Sequence, residues 1–425
     1  MSNEIVVHRS ELRQALNEEA INRAATESGF AKRERKLKPV AALWSVVTAL
    51  GSGKANTLTD VWRTLIDITG KSMAYKAFYD RLANHRFPEF LRLCLEGLLT
   101  ELCESQHKST HPQLKRFDDI VAHDGSSFAL EPGLRDSFAG RFRTISPAAV
   151  EIHCTYSVYS QQALSVAIAA DKEGERQFLP KPEELKNKLL LVDRGYLDYK
   201  FFRAVEEAGG HYITRARDSR FNPTIVKCRS GLSERFNRKK LADAKIPNRT
   251  VDLLVKGTSE KGKIYYYRLV LFWVPRKRKH IRFITSLPHE EFPPELVSQA
   301  YRLRWQIELL FKECKSFTQL RRFPTNNPFI VDGLIWASFI AVVLRRHLAL
   351  SAFENETREA SLFIAARLAW TYLRDLAKAA VRSFRTFLYE VRRVLCTLKQ
   401  LAARTNPSRD DTQRTLSFHP VSGYG

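Results

Sequence analysis

YRLRWQIELLFKECKSF, residues 301–317, is the stretch from which the rest of the chain is read. Laid on an α-helix at about 100° per residue with Tyr301 at zero, Arg304 falls near 300°, Glu308 near 340° and Lys315 near 320°. Lys312 and Trp305 fall at about 20° and 40° on the same scale. One face therefore gathers a tyrosine, an arginine, a carboxylate, two lysines and an indole. Leu303, Ile307, Leu310, Phe311, Cys314 and Phe317 occupy the opposite side and anchor it. An ordinary amphipathic helix mixes Glu and Lys on its wet face, whereas this one sets a single acid among cations and aromatics. Such a carboxylate suits a metal that bridges to phosphate, with the cations on the other phosphate oxygens.

A Mg²⁺-type site needs further acids from other segments. Asp124 follows the apolar run IVAH and Asp193 follows LLLV, so both are expected at strand ends that converge at one sheet edge. Asp118 and Asp119 rival Asp124 and are read as turn or surface residues. Asp198 rivals Asp193 and is read as the N-cap of the next helix. His123 is read as an imidazole packed at the strand end.

Outward from these residues the pattern changes three times. Residues 1–110 read as helical: Leu58, Val61, Trp62, Leu65 and Ile66 share a face, with Gly70 as the C-terminal cap. A second helix is expected from Ser72 as N-cap, with Ala74, Ala77, Phe78 and Leu82 inward, so that the pair resembles a helix-turn-helix. Lys71, Lys76, Arg81 and the run KRERKLK at 32–38 add positive charge. From Ile120 come short apolar runs at 120–122, 151–158, 164–168 and 189–192, then a helix near 199–208 and a strand at 211–214, the order of a mixed α/β sheet. Residues 216 to about 280 read as a β-rich insertion, with KIYYYRLVLFWV as one strand. From Pro293 the chain is helical again until a polar tail after Arg404, expected to be disordered.

Lys and Arg number 69 against 46 Asp and Glu, a net charge of +23, which points to a polyanionic partner. The same charge, with Arg304 and Lys315 beside Glu308, fits phosphates better than the sugars of a two-carboxylate glycosidase. The six cysteines form no CxxC pair, so reduced, mostly buried thiols are expected. The uncharged stretch Gly333–Leu344 has 12 residues, short of the roughly 20 that span a bilayer, and reads as a buried helix. The N-terminus carries no secretory pattern, so a cytoplasmic protein is expected. No GxxxxGK[ST] loop occurs, so no nucleotide cofactor is expected.

Tyr301, Arg304, Glu308 and Lys315 reproduce the Y-x2-R-x3-E-x6-K spacing, and the chain here resembles the DDE transposases of the insertion-sequence-four family. HDGS around Asp124 and VDRGY around Asp193 look like that family's two aspartate motifs. The resemblance covers roughly residues 115–350. It implies an α/β fold: a ribonuclease-H-like mixed sheet with helices, interrupted by a β-rich insertion, plus helical N-terminal and C-terminal regions. The implied division is a DNA-end-binding domain at 1–110, catalytic core at 111–215 and 286–350, insertion at 216–285, and C-terminal helices and tail at 351–425. Asp124, Asp193 and Glu308 become the ligands of two divalent ions, Mg²⁺ with Mn²⁺ able to substitute. Tyr301, Arg304 and Lys315 become DNA phosphate contacts, and Trp305 a residue that stacks on a distorted base; Lys312, on the same helix face, is also expected to bind DNA. The implied partners are double-stranded DNA and a second copy of the chain in the synaptic complex. Two alternatives share these residues: a metal-dependent nuclease without strand transfer, and a degenerate copy that only binds DNA.

Overall fold

The computed structural model describes residues 16–31, 37–51, 55–102, 111–216, 222–258, 262, 264–317, 325–353, 360–402 and 421–422. Among the described residues five helices come first: α1 (Glu18–Glu27), α2 (Pro39–Gly51), α3 (Leu58–Thr69), α4 (Tyr75–Leu82) and α5 (Arg86–Leu102). Thr57 and Asp60 close a reciprocal capping box on α3, and Gly70 ends it at φ 64°, a conformation that costs glycine nothing. The following helix starts later than expected. Ala74, not Ser72, sits at the N-cap of α4 and makes no side-chain cap, and Ala74 and Ala77 are exposed. Met73 explains the delay: its carbonyl accepts from the Trp62 indole at 2.7 Å, which ties the linker back to α3 before the next helix begins. The KRERKLK run lies outside the described residues apart from Leu37 and Lys38.

Ten strands then form one sheet among the described residues. They are β1 (Asp119–Ala129), β2 (Ala139–Phe142), β3 (Ser146–Ser157), β4 (Gln162–Ala170), β5 (Lys188–Val192), β6 (His211–Arg215), β7 (Thr224–Ser230), β8 (Val251–Thr258), β9 (Ile264–Val274) and β10 (Lys279–Thr285). β3 lies antiparallel between β1 and β4, while β5 and β6 add to the other side of β1 in parallel. The order β4-β3-β1-β5-β6, with α6 (Tyr199–Glu207) crossing between the two parallel strands, is the ribonuclease-H-like sheet. β7–β10 do not make a sheet of their own. β10 pairs antiparallel with β6 from Thr285↔Ile213 to Phe283↔Arg215, so they prolong the same sheet.

Side chains alternate across this sheet as the pleat requires. Val121, Leu190 and Val192 face the cluster under α6, which Phe202 and Val205 fill. Ile120, Ala122, Leu189 and Leu191 face the larger core shared with the helices. Those helices are α7 (Pro294–Arg302), α8 (Trp305–Phe317), α9 (Pro328–Phe353), α10 (Leu362–Thr371), α11 (Leu373–Arg382) and α12 (Phe384–Leu401). α9 is the central beam and packs on α2, α5, α8, α10 and α12. It is long and apolar enough to cross a membrane, yet 83% of its most apolar window is buried inside the protein. It is therefore a core helix, as the 12-residue reading expects. Cys94, Cys154, Cys228 and Cys314 are buried free thiols and Cys396 is an exposed one. The tail after Arg404 lies outside the described residues except Val421–Ser422.

Gly333 of α9 faces Phe87 of α5, and a Cβ there would overlap the phenyl ring. Phe87 is fully buried and has nowhere to go. Gly333→Ala gains up to about 1 kcal/mol of helix propensity but overpacks a closed contact. The expected net is a loss of about 1–3 kcal/mol, read as a lower urea midpoint with unchanged slope. An unchanged or raised midpoint would mean that the two helices separate freely.

Candidate active site

Three chain segments meet at one edge of the central sheet. The parallel register His123↔Val192 sets Asp124 and Asp193 side by side, one residue further along neighbouring strands. Asp124 is not at a strand end as expected. β1 continues through HDGSS to Ala129, because the backbone ladder to β3, Asp124↔Cys154 through Ala129↔Ala149, needs no apolar side chain. Asp193 does stand just past the end of β5, and its carbonyl accepts from Thr214 Oγ1 at 3.3 Å.

The third segment departs from the expected single helix over 301–317. α7 stops at Arg302, and Leu303 and Arg304 form a turn closed by tight bonds, Arg304 N–H to Tyr301 O at 3.1 Å and Gln306 N–H to Leu303 O at 3.0 Å. Leu303, Ile307, Leu310, Phe311 and Cys314 are buried as expected. The side chain of Phe317 lies outside the described residues.

Arg304 is the hub. Its Nη1 donates to Asp124 Oδ2 at 2.9 Å and its Nη2 to Glu308 Oε1, with its guanidinium 5.7 Å from the centre of the Tyr301 ring. Tyr301 Oη reaches Asp193 Oδ1 at 3.4 Å. Lys315 donates to the Ser127 carbonyl at 2.8 Å, which fastens α8 alongside β1. Lys312 is exposed, and Trp305 is 55% exposed on the same helix. Burial pushes Asp124 up to about 6; Arg304 and the Gly125 N–H pull the other way, while the charges of Glu308 and Asp193 push it further up. Burial raises the Tyr301 phenol. Burial works against the Arg304 charge, but Tyr301, Asp124 and Glu308 outweigh it and raise its pKa.

The donors are carboxylate oxygens only, a hard set that suits Mg²⁺ or Ca²⁺ and not a thiophilic metal. Among the described residues no three His, Cys, Asp or Glu side chains close round one point tightly enough to hold a metal. The positive charge between Asp124 and Glu308 is supplied by Arg304. The residues fit a divalent ion by donor chemistry and convergence of charge, with the guanidinium turned aside.

The rivals fall into other roles. Asp118 is exposed, but Asp119 is buried at the start of β1, where it accepts from the Tyr159 N–H at 3.4 Å, and burial pushes it up to about 6. Its expected surface position is wrong because the strand begins one residue earlier than the apolar run. Asp198 caps α6, accepting from Lys200 N–H at 2.9 Å and Phe201 N–H at 3.2 Å. His123 is buried beside Thr155 Oγ1 at 3.0 Å, and burial lowers it to about 3.

Two charged clusters escaped the sequence reading, one buried in the core and one reaching the surface. Glu313 of α8 pairs with Arg346 Nη1 at 3.1 Å and Arg345 Nη2 at 3.3 Å, and Arg346 also donates to Tyr156 Oη at 3.1 Å. Two arginines inside an otherwise apolar helix are the signal that calls for such an acid. On the other face of β1, Arg141 joins Glu151 at 2.5 Å and Glu175 at 2.8 Å. Gly125 of HDGS lies directly over that cluster: a Cβ there would stand 2.6 Å from Glu151 Oε1.

Burial pushes Glu151 from 4.5 up to about 7, against the pull of Arg141. A carboxyl that holds its proton more tightly folded than unfolded adds stability below about 4.5 that is lost as pH rises through about 7. Wild type should therefore lose thermal stability relative to Glu151→Gln between about pH 5 and about pH 7.5. Parallel melting curves for the two proteins across that range would show that Glu151 ionises normally.

The family model described as the transposase DDE domain matches residues 115–344, which hold all three acids and the cationic helix. The transposase for insertion sequence element IS231C of Bacillus thuringiensis subsp. berliner is 22% identical, covering 94% of this chain and 92% of its own. The IS231D transposase of B. thuringiensis subsp. finitimus is 21% identical over 81% and 80%. The putative transposase InsL for IS186A of Escherichia coli K12 is 42% identical over 65 residues, 15% of this chain and 18% of its own. Among solved structures, the cryo-EM structure of a piggyBac transposase synaptic complex with hairpin DNA covers 97% of this chain and 88% of that one, at 10% identity and a TM-score of 0.43.

Proposed function

Because the chain belongs to the DDE-domain transposase family, we propose that it binds the ends of its own insertion sequence and cuts and joins DNA at Asp124, Asp193 and Glu308. The observation that carries the reading is the Arg304 hub, which draws Asp124 of β1 and Glu308 of α8 onto one guanidinium while Tyr301 reaches Asp193. Five motif positions from three chain segments lie together there, which supports the reading.

The three carboxylates would hold divalent ions, Mg²⁺ by their hard oxygen donors, with Mn²⁺ able to substitute. When bound, such ions stabilise the attacking and leaving oxygens of an in-line displacement. The rest falls to the chain. Arg304 and Lys312 hold non-bridging phosphate oxygens, Tyr301 orients the scissile phosphate, Lys315 keeps α8 registered on β1, and exposed Trp305 stacks on a displaced base. Water first attacks phosphorus and the P–O3′ bond breaks, leaving a 3′-hydroxyl. That hydroxyl then attacks a second phosphorus, forming one P–O bond as another breaks, so joining needs no external energy. The helices before residue 110 are assigned to end recognition, with α3 and α4 as the reading pair, and two copies hold the two ends together. The work takes place on bacterial DNA in the cytoplasm.

The test is incubation of purified protein with labelled DNA carrying the sequences that flank its gene, with and without Mg²⁺. Metal-dependent cleavage at a discrete end followed by joining into a second plasmid is the expected result. Cleavage without joining would favour a nuclease, and binding alone a degenerate copy.

A further inference from the structure

The hairpin joining β2 to β3 carries apolar side chains where the fold has no use for them. Ile145 is 87% exposed, the highest value among the described large hydrophobics, and Phe142 is 61% exposed. They flank Arg143 and Thr144, which are exposed as well. A single exposed apolar residue is ordinary, but two beside an arginine on one turn make a compact apolar tip with a cation at its centre. The turn is held firmly from below. Arg141 donates through its backbone N–H to Asp171 Oδ2 at 3.0 Å and through Nε to the Asp171 carbonyl at 2.8 Å, and it pairs with Glu151 and Glu175. A tip fixed in this way loses little freedom on binding.

We propose that this hairpin is a DNA wedge: Phe142 and Ile145 enter the minor groove against a base step while Arg143 meets the adjoining phosphates. The inference rests on the transposase reading and deepens it. Charge complementarity selects the occupant, since the chain carries +23 and an apolar tip flanked by arginine suits a groove that can be opened and kinked. The location agrees. Asp124 pairs with Cys154, and Ile145 lies nine residues back along the same strand direction. At roughly 3.3 Å per residue that is about 30 Å from the cutting site, or about nine base pairs at roughly 3.4 Å each. Arg304 and the α8 lysines up to Lys315, which accompany β1, run between the two.

The experiment uses the full chain and end duplexes with 2-aminopurine placed at steps about seven to eleven base pairs either side of the cut. With wild type, fluorescence should rise severalfold on binding at one of these steps, because the base loses its stacking. Phe142→Ser/Ile145→Ser should abolish the rise and weaken binding about tenfold, while leaving cleavage of a duplex too short to reach the tip unchanged. Arg143→Ala should lower the salt dependence of binding by about one phosphate contact. A rise that persists in the double variant overturns the wedge, as does a wild type that cleaves without any rise; both leave the transposase reading standing. A double variant that changes only the sedimenting mass makes the tip a contact between copies and also overturns it. A wild type that binds no DNA overturns both.

Discussion

Glu308→Ala lowers metal-dependent cleavage by about 10³-fold or more and leaves end binding within about twofold of wild type. The carboxylate is proposed as a metal ligand and contributes no positive charge, so phosphate affinity loses nothing with it. It also holds one side of the Arg304 fork, so its removal frees a cation for phosphate. Cleavage assays and gel shifts on the same preparation separate the two effects. Equal loss of binding and cleavage would mean that Glu308 supports the fold of α8 and not the chemistry.

The second large effect is on stability. Glu313→Ala should cost about 3–5 kcal/mol, because it removes the acid that Arg345 and Arg346 share in the core. Against a total of about 5–15 kcal/mol this approaches unfolding. Both arginines are fully buried, and the aromatic faces of Trp370 and Tyr156 beside them cannot replace a full charge. Chemical denaturation gives the number directly. Replacing all three charges together, as Glu313→Leu/Arg345→Leu/Arg346→Met, should recover most of the loss, since the cost lies in buried positive charge that has lost its acid and not in a missing bond. A loss below about 1 kcal/mol for the single variant would show that water reaches the pair.

Much of this was legible without coordinates, and what was not has physical causes. β3 and β5 were readable because alternating or continuous apolar runs are what a half-buried or fully buried strand requires. Tyr301, Arg304 and Glu308 could be grouped from spacing alone, and they do meet. The turn at Leu303–Arg304 could not be read, since it has no glycine or proline to announce it. It coincides with Leu303 turned into the core and Arg304 reaching across to β1, contacts made by distant segments. The course of β1 through HDGSS was hidden for a related reason. Its polar residues are held by backbone pairing with β3, and the glycine among them marks the crowding by Glu151 and not a turn. The joining of β10 to β6 is likewise a long-range pairing that local composition does not encode.

The Arg304 fork has one more consequence. While the guanidinium spans Asp124 and Glu308, it serves as a shared counterion for both carboxylates. On the proposed function a backbone phosphate would compete with those carboxylates for Arg304, and each carboxylate released would be free for a metal. Substrate and metal affinity would then be linked, with each raising the other by the same factor. On the proposed function, metal and DNA would therefore assemble at the site together, each favouring the arrival of the other.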